Sequence, residues 1–242
     1  DLDRLRQIAR LLDRSSEPYH LTLDGNEQYR DMDTFLELMD RIEGDDSLSR
    51  FYESILFIEQ PLERSIALNP DLANGIRSVS ERKPMLVDES DGDIGIFKEA
   101  VGLGYKGVSS KNCKGLIKAL ANQGLARYFG EGYFLSGEDL MNLPVVPVQQ
   151  DLAHLASLGV SHVERNGHHY VHGLNHLSEQ ERVACRRDHG TLYREMGDGL
   201  VLDVQDGKID ISSLQIPGLG VGDAVDVDHM TPLDAWTFES LA

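Results

Sequence analysis

Between residues 19 and 164 the sequence sets out six short apolar runs, each closed by a polar or charged stop and separated from the next by a longer stretch with helical spacing. The runs cover residues 19–23, 55–58, 84–87, 105–110, 133–135 and 160–164. Between the first two, Met32, Phe35, Leu36, Met39 and Ile42 recur at steps of three and four and share one face of a helix. Gly44 then stands where a helix C-terminus favours a left-handed residue. Further helices are predicted over residues 70–80, 94–102, 116–128 and 151–158. Another precedes the first run, where Leu2, Leu5, Ile8, Leu11 and Leu12 align. The aromatic and methionine positions of these helices are expected in the core.

Strands alternating with helices imply a parallel sheet covered by those helices. An open doubly wound sheet and a closed (β/α)₈ barrel both satisfy that. No glycine-rich phosphate loop follows any run, which weakens the nucleotide-binding open sheet. The polar residue at the end of every run matches a barrel, whose chemistry gathers at strand C-termini. We therefore expect an α/β fold of the TIM-barrel type. After about Leu177 the pattern changes. Residues 200–204 and 209–211 flank Gln205-Asp206-Gly207-Lys208, a hairpin signal in a β-rich tail. The expected division is a partial barrel over residues 1–177 and a C-terminal segment over 178–242.

The formal charge of −18 argues against a nucleic-acid surface, which needs a basic footprint. No apolar run approaches the ~18 residues of a membrane helix. Cys113 and Cys185 form no metal or disulfide motif and are expected as free thiols, as suits a cytoplasmic protein. Position 1 is Asp rather than Met, so a start inside a longer protein is expected.

Three of the polar stops are carboxylates: Asp24, Glu59 and Asp88, separated by 35 and 29 residues, each about one strand–helix unit. Adjacent strand ends are neighbours in a barrel, so the three would converge. Converging carboxylates repel unless a cation neutralises them, and an all-oxygen set suits Mg²⁺. Lys111 ends the next run, 23 residues after Asp88. A lysine beside a divalent cation can have its pKa lowered and act as a general base.

The strings Leu23-Asp24-Gly25-Asn26-Glu27, Phe57-Ile58-Glu59-Gln60-Pro61-Leu62, Leu86-Val87-Asp88-Glu89-Ser90 and Ser110-Lys111-Asn112-Cys113-Lys114 resemble the enolase superfamily, in its muconate-lactonizing branch. The resemblance spans roughly residues 1–165. It implies strands three to eight of the barrel, with strands one and two and a capping domain outside this chain. The tail is then expected to pack with that cap. It implies Mg²⁺ on Asp24, Glu59 and Asp88, with Lys111 moving the proton α to a substrate carboxylate through a metal-stabilised enediolate. Racemisation or epimerisation, dehydration and cycloisomerisation all fit that chemistry. The family's second catalytic lysine, on strand two, has no counterpart here. A non-catalytic barrel and another divalent-metal lyase are the alternative readings. The expected partner is a small-molecule carboxylate, with no nucleic acid and no membrane; a homo-oligomer is compatible with this reading.

The strand-six string departs from the family's commoner Ile-Lys-Leu-X-Lys, which makes Lys114 a rival to Lys111. Lys111 is favoured because it ends the apolar run. Glu89 is an alternative ligand or a supporting group. Asn26, Gln60, Glu89, Glu138, Glu164, His168 and His169 are candidate substrate or supporting residues. The spacing of His162, His168, His169, His172 and His176 matches no zinc signature, so a solvated loop is expected there, with His168 and His169 at the last strand's exit forming a pocket wall rather than a second metal site.

Overall fold

The computed structural model describes residues 1–138, 145–165, 172–222, 225 and 227–237. The chain forms two compact units, Asp1–Gly137 and Glu138–Ala242; the boundary falls just before the last residue of one strand.

The first unit runs α1 (Leu2–Leu12), β1 (Leu21–Asp24), α2 (Met32–Glu43), α3 (Ser49–Glu53), β2 (Ile55–Glu59), α4 (Ala73–Arg82), β3 (Met85–Val87), α5 (Ile96–Leu103), β4 (Gly107–Ser110), α6 (Leu116–Phe129) and β5 (Phe134–Glu138). β1 through β5 pair in parallel, each with the next in sequence. The sheet order is β1-β2-β3-β4-β5-β6, with β6 at Val163–Glu164. A doubly wound sheet reverses its strand order at a switch point. Strictly sequential order is that of a (β/α) barrel, here six strands of one.

Register sets what faces inward. Asp24 pairs with Glu59, Glu59 with Leu86, Leu86 with Gly107, and Gly107 with Phe134, so these five share one face of the sheet. Two residues further along each strand the same face carries Asp88, Ser109 and Ser136. The row thus carries acids at β1 and β2 and apolar residues or glycine at β3 to β5, where a polar row follows at the strand ends. Gly107 makes room for an aromatic ring: a Cβ there would lie 2.8 Å from Phe134 Cζ and 3.1 Å from Leu86 Cβ. Phe134 in turn meets Phe57, with ring centroids 5.4 Å apart.

The helices follow the hydrophobic pattern with some corrections. α2 is capped by Asp31, whose side chain accepts from Thr34 N at 2.7 Å, and buries Met32, Phe35, Met39 and Ile42. Gly44 is not left-handed as its position suggests: its φ of −82° is right-handed, so its glycine freedom goes unused. A left-handed stop does occur at Gly104, at φ 124°, where a Cβ would press on Arg77. α6 buries Ala119, Asn122 and Ala126 and leaves Leu120 exposed; Tyr128, expected in the core, is 83% exposed. Its aromatic ring instead stacks edge-on against Phe129 at the surface. β5 runs three residues beyond the apolar run that announces it, because Ser136, Gly137 and Glu138 continue the strand without being hydrophobic.

The second unit holds α7 (Val146–Ser157), β6, α8 (Glu179–Asp188) and two antiparallel pairs. A reciprocal Ser178–Glu181 capping box starts α8. β7 (Tyr193–Met196) pairs with β8 (Gly199–Leu202), and β9 (Val204–Gln205) with β10 (Lys208–Ile209). The Asp206-Gly207 turn is present, with φ of 50° and 72°, the signs a tight hairpin needs. Its strands are shorter than expected, because residues 200–202 pair instead with the preceding β7. Leu152, Leu174, Cys185, Leu192, Tyr193, Leu200 and Leu214 form the core of this unit. Both cysteines are free; burial, then Glu181 and Asp188, push the Cys185 thiol up to about 12. No described helix is long and apolar enough to cross a membrane.

Candidate active site

Each of the strands β1 to β4 hands one charged side chain to the sheet's C-terminal edge. Asp24 closes β1 and Glu59 closes β2, side by side in register. Asp88 follows β3 directly, and Lys111 follows β4. Glu59, Asp88 and Lys111 are buried, whereas Asp24 is exposed. A buried carboxylate requires compensation, and for Asp88 it is explicit. Lys111 Nζ lies 2.7 Å from Asp88 Oδ2 and Lys114 Nζ lies 2.6 Å from Asp88 Oδ1. Burial works against ionising Asp88, but Lys114 and Lys111 outweigh it and hold the carboxyl below its ordinary value.

The backbone beneath Asp88 is fixed by Gln60. Its side-chain carbonyl accepts from Asp88 N at 2.8 Å and Ser90 N at 2.9 Å, and its amide donates to Ser90 Oγ at 2.9 Å. Gln60 is therefore committed to tying the β2 and β3 ends together. At the β1 end, Asp24 Oδ1 accepts from Asn26 N at 2.8 Å, a turn closed by its own carboxylate. Asn26 and Glu27 both have positive φ, 44° and 59°. That turn delivers Glu27 to Arg64, whose Nε donates to Glu27 Oε1 at 2.8 Å. Gly25 lets this turn close on Pro61, since any Cβ would collide with the proline backbone.

Among the described residues, Glu59, Asp88 and Glu138 form a group whose carboxylate oxygens lie within 4.8 Å of one another. Glu138 ends β5 and is 8% exposed. The sequence pointed to Asp24, Glu59 and Asp88 as ligands; the geometry places Glu138 with the latter two and leaves Asp24 at the exposed rim. A buried, all-oxygen carboxylate set fits a hard divalent cation such as Mg²⁺ and offers nothing to a thiophilic one. Glu89 stands apart from the lysines. Burial, and then the charges of Asp88, Asp24 and Glu27, push its carboxyl up.

Two contributors carried no motif. Asp91 is 3% exposed, and Lys118 reaches it from the first turn of α6, 3.0 Å from Asp91 Oδ2. Burial pushes the Asp91 carboxyl up despite Lys114 and Lys118. The traces these left in the sequence are an acid three positions after Asp88 and lysines four apart at 114 and 118, one turn of the helix start. In the second unit, Glu164 is exposed, and Arg165 NH1 donates to Asp151 Oδ2 at 3.3 Å. His168 and His169 lie outside the described residues. No histidine joins a group of three metal-ligating side chains among the described residues.

No family model and no curated protein matches this sequence. Solved structures do resemble the chain. Muconate lactonizing enzyme from Pseudomonas putida is 19% identical over 67% of this chain and 42% of its own, with a TM-score of 0.48. O-succinylbenzoate synthase from Thermosynechococcus elongatus BP-1, solved with Mg in its active site, is 19% identical over 66% and 47%, with a TM-score of 0.49. A 3-keto-L-gulonate-6-phosphate decarboxylase from Vibrio cholerae is 13% identical over 61% and 62%, with a TM-score of 0.44. The chain spans less than half the length of the first two.

Proposed function

We propose that this chain carries the active-site edge of a Mg²⁺-dependent enzyme of the enolase superfamily, one that moves the proton α to a substrate carboxylate. The observation that carries the reading is the convergence of Glu59, Asp88 and Glu138 beside the buried Lys111, all at strand C-termini. A sheet edge of this kind is where barrel enzymes place their chemistry.

Glu59, Asp88 and Glu138 would hold the ion, with Asp24 beside Glu59 at the rim. A bound divalent cation would draw charge from the substrate carboxylate, acidify the α proton and oppose a second positive charge on Lys111. Lys111 Nζ accepts that proton and becomes an ammonium facing Asp88 Oδ2 at 2.7 Å. It then returns the proton to carbon or passes it to a leaving group. Asp88 thus also serves as the counter-charge for the protonated lysine. Gln60 keeps Asp88 in place, and the buried edge limits competing water.

The test is a screen of the protein with Mg²⁺ in D₂O against acid sugars, amino acids and dipeptides, followed by proton NMR. Loss of an α-proton signal in at least one class, dependent on Mg²⁺ and absent after chelation, is the expected result. A protein that binds Mg²⁺ but exchanges no α proton in any class would point to a binding barrel. Turnover without α-proton exchange would point to another metal-dependent lyase.

A further inference from the structure

We propose that Lys114, which carries no role in the reading above, is a positioning residue: a fixed strut that sets the Asp88 carboxylate and, through it, Lys111. The proposal rests on the metal and proton-transfer reading only for its purpose; the strut itself is visible in the bonds. Lys114 Nζ donates to Asp88 O at 2.9 Å, to Asp88 Oδ1 at 2.6 Å and to Ser109 O at 3.0 Å. An ammonium has three N–H donors, so all three are committed. Two of them end on backbone carbonyls of β3's exit and β4, which ties those strand ends together at the level of the site. The third fixes one oxygen of Asp88, leaving Oδ2 to face Lys111.

The strut is itself anchored. Lys114 closes the short 3₁₀ turn Asn112–Lys114, and its ammonium lies 3.8 Å from Asp91 Oδ2. Asp91 is held from its other side by Lys118, which also donates to the Asp91 carbonyl. The order Lys111, Asp88, Lys114, Asp91, Lys118 is a chain of alternating charge running from the site into the start of α6. Every member is largely buried, with side-chain exposure between 1% and 14%. Such a chain leaves Asp88 one orientation. It also gives the two lysines different roles. Lys114 has no N–H left for a substrate, so its part is to hold Asp88 rather than to touch the reacting atoms.

The experiment compares wild type with Lys114→Ala and Lys114→Gln, the glutamine keeping two N–H donors should the alanine variant fail to fold. Metal-free crystal structures report the Asp88 rotamer and the Lys111 position. Mn²⁺ titration followed by electron paramagnetic resonance reports affinity, repeated with added ethylammonium to replace the lost head group. The expected result is an Asp88 carboxylate turned away from its present position, with Lys111 beyond hydrogen-bond distance. Mn²⁺ affinity should fall by about 10- to 100-fold, the usual effect of losing a group that orients a ligand, and ethylammonium should restore part of it. Asp88 and Lys111 unmoved in either variant would overturn the proposal. So would a lowered affinity that ethylammonium leaves unchanged, since that is the mark of general damage. A wild type that binds no Mn²⁺ would remove the metal reading, while the crystal structures would still decide whether Lys114 positions Asp88.

Discussion

Lys111 Nζ and Asp88 Oδ2 stand 2.7 Å apart at neighbouring strand ends, with side chains only 8% and 4% exposed. An ion pair so far from water is strong in place but costly to assemble, and breaking one partner is worse than lacking both. That asymmetry governs how variants of this site behave.

Removing Lys111 should abolish proton transfer without emptying the metal site. Lys111→Ala still leaves Asp88 Oδ1 held by Lys114 at 2.6 Å, so the carboxylate keeps a counter-charge. Loss of a general base typically costs ~10²–10⁴ in rate. Deuterium incorporation into an identified substrate should drop on that scale, while calorimetry should still detect Mg²⁺ binding. Full exchange in Lys111→Ala would mean another group removes the proton.

Metal binding should appear as stability. A ligand that binds only the folded state adds ~2.7 kcal/mol at 100 times its Kd. Mg²⁺ should raise the melting temperature of wild type and chelation should reverse it. Glu59→Gln should erase that response while the metal-free protein melts at or above the wild-type temperature. The amide keeps the shape of the side chain and removes a negative charge from a crowded group of acids. Asp88→Asn is a poorer probe: it takes from Lys111 and Lys114 the charged carboxylate they share, at ~3–5 kcal/mol for a broken buried pair. A Glu59→Gln protein that gains as much from Mg²⁺ as wild type would remove Glu59 from the ligand set.

The row beneath the site makes a packing prediction. Gly107→Ala would put a methyl 2.8 Å from Phe134 Cζ and 2.9 Å from Cε2. Overpacking of this kind costs ~1–3 kcal/mol. Thermal or urea denaturation should show the loss in the metal-free protein, and Gly107→Ala combined with Phe134→Leu should recover part of it. An unchanged midpoint would mean that the ring moves aside freely.

Much of this could be read in the sequence, and for a physical reason. Asp24, Glu59, Asp88 and Lys111 each follow an apolar run, and parallel strands of a barrel must all end on one face, so topology converts spacing into proximity. Glu138 was harder to place because Ser136 and Gly137 continue β5 without hydrophobicity, and no apolar run leads directly up to it. Asp91 and Lys118 belong to no strand end at all; they meet only because α6 starts over the β3 exit. Gly44 looked like a left-handed cap by position, yet the chain turned without needing that freedom. Tyr128 looked like core by residue type, although its side of α6 faces outward and leaves the ring 83% exposed.

Glu89 supplies the pH prediction. Its carboxyl lies next to Asp88 in sequence but gains no lysine; burial and the charges of Asp88, Asp24 and Glu27 all raise its pKa. A carboxyl whose folded value exceeds its unfolded value binds protons more tightly when folded. Above the unfolded value, near ~4.3 for glutamate, the folded protein therefore carries an increasing penalty as pH rises through the folded value, and a constant one beyond it. Asp88 behaves oppositely: its lowered pKa contributes stability that is present above the unfolded value and lost as pH falls through the folded one. Glu89→Gln should thus stabilise the metal-free protein at pH 7 and give no gain at pH ~4, where the wild-type carboxyl is largely protonated in both states. For a chain of this length ~1 kcal/mol shifts the melting temperature by roughly 2–4 °C, so the difference between the two pH values is within reach of calorimetry. Mg²⁺ at pH 7 should shrink the variant's advantage, because a cation among the carboxylates relieves the same repulsion in wild type. A Glu89→Gln protein equally stabilised at both pH values would show that the gain comes from packing rather than from charge.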